Sequence, residues 1–565
     1  MSTSHSSAKS HHSNSLPSTE ETYLYTPVPA HPNHVSVGLY YPADRNIAMS
    51  SLGYLTLYKQ LDINPHIHVE RVYTDTLQQY NASQFDAIGF SFSFELDIVA
   101  ILKTFQQQGI PLYQAQRGEE IPLVFAGGPT VMTNPEPFAD FFDFFLIGEG
   151  EDLLDETLRL MQELKESGAT RAETLLTLAQ KVQGCYVPSL YEVTYTSTQG
   201  EIQAITPKKE GVPFPVRKRF QSKETMASTV ASSPILTEDT IFGRTFLVEV
   251  MRGCSHRCRF CMASYAMLPT RGSNLDTITQ AIESGLKHTS NIGLLGALIA
   301  DHPQFGELCD FLHTQMDHND AIQLSSAAVR VDTLTKRMAE TFVRGGQRKL
   351  TVAIESGSET LRRRINKNLK QEKIFTCADT VQQAGLKGLK LYGMVGLPDE
   401  TDEDIDATIQ LLRALKKENP KLELVFGSSS FVPKGGTPFQ WMPRQDKKRV
   451  DAKFKTLNKG LLKVAKFRPS SAKWDDFQAF ISRGDRRLAP LLVRFVELGG
   501  TLGALKRAYK ELKQEGVAHF PDHDWYALRE RSEHEILPWD VIHLGVDKHI
   551  LWKESLNPLN PRKVK

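Results

Sequence analysis

Cys254, Cys258 and Cys261 lie in the stretch MRGCSHRCRFCMAS (residues 251–264), which holds half of the chain's six cysteines. Thiols this close in sequence are candidate metal ligands, and a tetrahedral site normally wants four ligands. Two readings accommodate three. A zinc ion could take the three cysteines and a fourth ligand such as His256, which lies between them. Alternatively, each cysteine could bind one iron of a [4Fe–4S] cluster. The fourth iron would then keep an open position for a substrate or cofactor, as catalytic metal sites do. Cys185, Cys309 and Cys377 read as inert buried thiols; the last two fall in helical patterns.

The cysteines follow an apolar run, TFLVEVM (245–251), and precede a helical pattern. They therefore sit at the carboxyl end of a strand, where β/α barrels place their chemistry. That strand opens a series: 245–251, 291–297, 322–328, 349–356, 389–396 and 422–430, with helical patterns between most of them. Six β/α repeats make a partial barrel, short of the eight of a complete one. Upstream, apolar runs at 35–41, 85–94, 122–128 and 142–151 alternate with helical patterns. This alternation predicts a doubly wound parallel sheet. Ligands of such sheets bind beyond the carboxyl ends of the strands, where Ser91, Ser93, Gly127, Gly128 and Glu149 are expected.

The fold class is thus α/β: a doubly wound N-terminal sheet, a partial six-repeat barrel and a helical C-terminal tail. The expected divisions are a disordered tail over 1–33, an α/β domain over 34–184, and a linker with a small β element over 185–239. The barrel follows over 240–450 and a helical region over 451–565. The linker should contain a hairpin around Gln199 and Gly200. At roughly 150 residues per domain, 565 residues suit such a division. Sixty-seven basic against 66 acidic residues give a net charge of +1, so no overall basic field points to nucleic acid. There is no apolar run long enough to cross a membrane, and six cysteines are no disulfide framework. The expected setting is cytoplasmic.

The spacing Cys254-x3-Cys258-x2-Cys261, with Phe260 before the last cysteine, resembles the signature of the radical S-adenosylmethionine (radical SAM) superfamily. The resemblance covers roughly residues 240 to 450. It implies that the three cysteines are the catalytic, metal-ligating residues of a [4Fe–4S] cluster. The open iron would hold S-adenosylmethionine (SAM), whose cleavage yields a 5′-deoxyadenosyl radical. Cofactor-binding roles follow for Phe260, for Glu355 in AIESGSETLRRRINK (353–367), and for Gly393 and Gly396 in YGMVGLPDETDED (392–404). Ser325 in SSAAVRVD (325–332) is the corresponding candidate near the ribose. GLLGALIAD (293–301) stands where the family has a Gly-Gly-Glu motif and lacks that form.

The first domain is similar to the cobalamin-binding domain of many radical SAM enzymes, with GGP (127–129) and LIGEGE (146–151) as the matching segments. Cobalamin is therefore a candidate third cofactor. Domains that coordinate cobalt from below carry Asp-x-His-x-x-Gly, whereas the turn YPADRNIAMSSLG (41–53) has Asp44 and Asn46 but no histidine. A lower histidine ligand is not expected there. The implied activity is radical SAM chemistry, with methyl or methylthio transfer as the leading reaction. A radical oxidase, isomerase or cyclase is the alternative within the family. A zinc-stabilised module binding RNA or protein, served by VRKRF (216–220) and LRRRINK (361–367), is the alternative of another class. A reductant such as ferredoxin or flavodoxin is the expected partner; the substrate is not readable.

Overall fold

The computed structural model describes residues 20–517 and 519–556. The front sheet has six strands in the order Ile67–Tyr73, Val35–Tyr41, Ala87–Ser91, Leu123–Gly127, Phe144–Leu146 and Cys185–Tyr186. The first five are parallel and the last pairs antiparallel. Val35, Val37 and Leu39 point to one face, where the helices Leu52–Asp62, Gly150–Glu166 and Arg171–Lys181 cover them. Tyr40, Phe90 and Val124 point to the other, against Ile98–Gln107 and the tail helices Ala472–Ser482 and Ala489–Glu497. Both faces are buried, which is why these strands read as near-continuous apolar runs.

All six expected barrel strands are present: Thr245–Arg252, Asn291–Gly296, Gln323–Ser326, Lys349–Glu355, Gly388–Val395 and Glu423–Ser430. They are parallel, in two groups joined by a single bridge between Val329 and Val352. A seventh parallel strand, Lys466–Pro469, continues the second group. It lies in the region expected to be helical; four residues with exposed basic side chains give no apolar strand signal. Helices pack on the outside of the barrel. Ile278 and Ile282 of Leu275–Leu286, for example, are fully buried against it, each stabilising by roughly 1.5–3 kcal/mol.

The hairpin expected around Gln199 and Gly200 is formed by Tyr191–Tyr195 and Ile202–Pro207. The disorder expected over 1–33 does not extend to the later part of that segment. Thr22 and Tyr23 pair with Leu236 and Ile235, and Glu21 bridges Arg45 and Arg71 at 2.5 and 2.7 Å. Strand pairing and two ion pairs order what composition alone left loose. The first 19 residues lie outside the described residues. No helix among the described residues is long and apolar enough to cross a membrane.

Candidate active site

The first barrel strand ends at Arg252, and the next residue, Gly253, turns the chain with a φ of +78°; a Cβ there would meet the Met267 carbonyl oxygen at 2.5 Å. The loop that follows carries the three cysteines, all as free thiols: Cys258 is buried, Cys254 and Cys261 half-buried. Backbone and neighbouring side chains hold it. The Cys261 N–H donates to the Cys258 carbonyl at 3.0 Å, and the Tyr265 hydroxyl donates to the Arg257 carbonyl at 3.0 Å. The Asn366 amide donates to the same Arg257 carbonyl at 2.8 Å, and the Arg259 N–H donates to the Ile365 carbonyl at 3.0 Å. The segment after the fourth barrel strand therefore clamps the cysteine loop.

Burial pushes the Cys258 thiol up to about 12, with Lys367 acting in the opposite direction. Burial also raises Cys261, opposed by the N–H groups of Ser264 and Ala263. Thiols in this state become ligands only when a cationic centre offsets the cost of ionising them. The Ser264 hydroxyl, buried beside Cys261, also favours the ionised form of that thiol, as a donor to a ligated sulfur would. These features fit an iron–sulfur cluster. Among the described residues no three His, Cys, Asp or Glu side chains form a group that could hold one ion. His256, a candidate fourth ligand in the zinc alternative, bonds the Asp301 carboxylate at 2.7 Å. Cluster cysteines each bind their own iron and need not converge on one point.

The remaining candidates fall in different surroundings. Glu355, at φ +64°, is buried beside Cys258, and its carboxylate accepts from Lys367 at 2.8 Å. Phe260 packs against the small core of Leu397, Phe439 and Met442, between the cysteine loop and the fifth-strand turn. Gly396, at φ +74°, makes that turn; its N–H donates to the Glu400 carboxylate at 2.6 Å, and Lys453 holds Glu400 at 2.7 Å. At Gly393 a Cβ would meet the Phe426 ring at 2.5 Å, so packing by itself demands glycine there. Ser325 lies exposed on the inner face of the barrel, its hydroxyl 3.4 Å from the Ile292 carbonyl.

Lys367, Asn366 and Asp301 were not anticipated. The signal for Asn366 was slight: asparagine tolerates the left-handed backbone it adopts here, φ +56°. The two basic segments are largely engaged internally. Arg362 is fully buried and donates to the Ser356 and Leu369 carbonyls, while Lys218 donates to the Ala266 and Leu268 carbonyls. The binding-module alternative thus loses much of its basic surface.

The carboxyl ends of the front strands face the cysteine loop across a cavity of about 480 Å³. Ser91, Ser93, Gly127, Gly128, Tyr54 and Glu149 line the front side; Arg252, Gly253, Ala263 and Met267 line the barrel side. Gly128, at φ +127°, allows close approach to the Phe92 carbonyl, which a Cβ would strike at 2.6 Å. At the rim, Arg271 donates to the Glu149 carboxylate at 2.9 Å, and Arg252 donates to Glu151 at 2.8 Å. Burial would raise the Glu149 carboxyl, but Arg271 and Arg252 hold it below the ordinary range.

The family model described as the radical SAM superfamily matches residues 248–412, and the one described as radical SAM proteins, N-terminal, matches residues 76–188. The chain belongs to the radical SAM superfamily. It is a radical SAM enzyme, and the cofactors of that family are a [4Fe–4S] cluster and SAM. An uncharacterised protein of Methanocaldococcus jannaschii is 27% identical over 491 residues, covering 84% of this chain and 94% of that one. An uncharacterised methyltransferase of Pyrococcus horikoshii is 24% identical over 325 residues, covering 52% of this chain and 58% of its own length. The radical SAM methyltransferase TsrM of Kitasatospora setae, solved with cobalamin and a [4Fe–4S] cluster, shares the fold. Its TM-score is 0.52 at 13% identity, over 86% of this chain and all of that one.

Proposed function

We propose that this radical SAM enzyme transfers a methyl group, with Cys254, Cys258 and Cys261 ligating the cluster. SAM would lie between the cysteine loop and the turn at Gly396. The observation that carries the methyl-transfer reading is the cavity shared by the front strand ends and the cysteine loop. A methyl group carried on a corrin cofactor can reach a barrel substrate only where those two faces meet. The similarity to TsrM, a methyltransferase solved with cobalamin, and to the methyltransferase of Pyrococcus horikoshii supports this reading.

The cavity suits a flat, largely apolar ligand. Gly127 and Gly128 present bare backbone, Tyr54, Leu57 and Met132 supply apolar contact, and Ser91 and Ser93 supply hydroxyls. No histidine is among its lining residues, so none of them would supply an imidazole to a bound cobalamin. When bound, the cluster and SAM supply a radical and a methyl source, and cobalamin supplies a methyl carrier. The chain's own part is to position them: Asn366 and Arg259 fix the cysteine loop, and Glu149 and Arg271 keep the two domains together. Its reductant would be ferredoxin or flavodoxin.

Anaerobic reconstitution with iron and sulfide, with and without cobalamin, tests this function. Cobalamin that stays bound through gel filtration, and S-adenosylhomocysteine formed only in its presence, are expected. SAM cleavage to 5′-deoxyadenosine with no cobalamin uptake would leave a radical oxidase, isomerase or cyclase.

A further inference from the structure

The inner face of the barrel departs from what barrel interiors contain. Closed barrels fill this space with layers of branched apolar side chains. Here the parallel register places Thr351, Lys390, Val425 and Lys466 in one row, and Ala353, Tyr392, Gly427 and Arg468 in the next. Leu389 and Leu391, between them in sequence, are buried under the outer helices, so Lys390 and Tyr392 face inward. Tyr392 is 40% exposed among the described residues.

The two residues form a unit. The Lys390 ammonium sits 4.7 Å from the centre of the Tyr392 ring, a cation–π distance that orders a side chain otherwise free in solvent. Gly427 makes room for the ring, since a Cβ there would lie 3.1 Å from it. Arg468 follows in the same row. Among the described residues no carboxylate pairs with Lys390, Lys466 or Arg468. Glu423, which feels the charge of Lys466 and Arg468, is itself paired with Lys349 at 2.7 Å. Lysine and arginine on Lys466–Pro469 could serve only to blunt an edge strand. That explanation does not extend to Lys390 and Tyr392, whose strand has neighbours on both sides.

We propose that this inner face is an anion subsite for the substrate, with Lys390 and Arg468 taking a phosphate or carboxylate that the substrate carries. The proposal rests on the radical SAM site at the carboxyl end of the same strands. Gly396 lies four residue steps beyond Tyr392, about 13 Å along the strand. A substrate anchored by its anion near Tyr392 therefore extends toward the turn where SAM is placed.

Isothermal titration of the reconstituted full-length chain at low salt, with inorganic pyrophosphate and with citrate, tests this. Saturable binding of one probe is expected, with its identity telling phosphate from carboxylate. Lys390→Ala and Arg468→Ala should each weaken binding about tenfold or more, the scale of one lost charge-assisted hydrogen bond. Lys473→Ala, an exposed tail lysine, should leave it unchanged. Iron content and SAM affinity should stay at wild-type values in all three. No saturable binding, or wild-type affinity in Lys390→Ala and Arg468→Ala, overturns the proposal. A parallel loss of SAM affinity overturns it too, assigning these side chains to SAM. A wild-type chain that assembles no cluster would sink the radical reading instead, and the anion titration reads out independently of that.

Discussion

Lys367 donates to the Glu355 carboxylate at 2.8 Å, and the pair lies against Cys258 in the protein interior. Burial works against the charge on Lys367, but Glu355 and Cys258 hold its pKa above the usual value. A buried cation beside a cluster thiol links the fourth barrel strand to the metal loop.

Replacing one partner of this pair leaves the other buried and alone. Lys367→Met should cost about 3–5 kcal/mol, read as a fall in the urea midpoint of the unreconstituted chain. Glu355→Gln, which keeps the shape and a hydrogen-bonding group, should cost less. An unchanged midpoint in Lys367→Met would show that the pair contributes nothing to the fold.

Single Cys→Ala changes at Cys254, Cys258 or Cys261 should abolish cluster assembly and SAM cleavage. The same change at Cys185, Cys309 or Cys377, all buried away from the loop, should leave iron content at the wild-type value. Iron and acid-labile sulfide measured after anaerobic reconstitution decide it; normal iron in the triple loop variant would refute the ligand assignment.

Glu149 makes the domain contact pH-dependent. Its carboxyl is held below the ordinary range in the folded chain, by Arg271 and Arg252 against the effect of burial. Its contribution to stability is therefore complete above the unfolded carboxylate pKa and lost as the pH falls through the lower folded value. Thermal unfolding of wild type and Glu149→Gln should differ most near neutrality and converge as the pH drops below about 4. A difference that stays constant over that range would remove Glu149 as the source.

Gly396 combines a left-handed φ of +74° with an N–H held by Glu400. Gly396→Val should distort this turn, weaken SAM binding and leave iron content intact. Equilibrium dialysis with SAM on the folded, reconstituted variant measures it, and an unchanged dissociation constant would move the SAM site elsewhere.

The local chemistry and the inner strands are legible in the order of the amino acids. The spacing of three cysteines after an apolar run set the metal loop at a strand end, because three ligands within one turn need no tertiary information. Strands such as Lys349–Glu355 and Gly388–Val395 were legible because burial under helices demands apolar residues at alternate positions. The edge strands Ile67–Tyr73 and Lys466–Pro469 were not, because an edge exposes charged side chains that read as loop.

Which charges are used depends on how the chain packs. LRRRINK has the composition of a solvated helix face, yet Arg362 is buried and Lys367 serves Glu355. Glu149 and Arg271 are 122 residues apart and meet only because two sheets dock by their carboxyl ends. A charged side chain reads the same in a sequence whether water or a distant partner satisfies it. The cost of burying it unpaired makes the folded chain bring that partner to it.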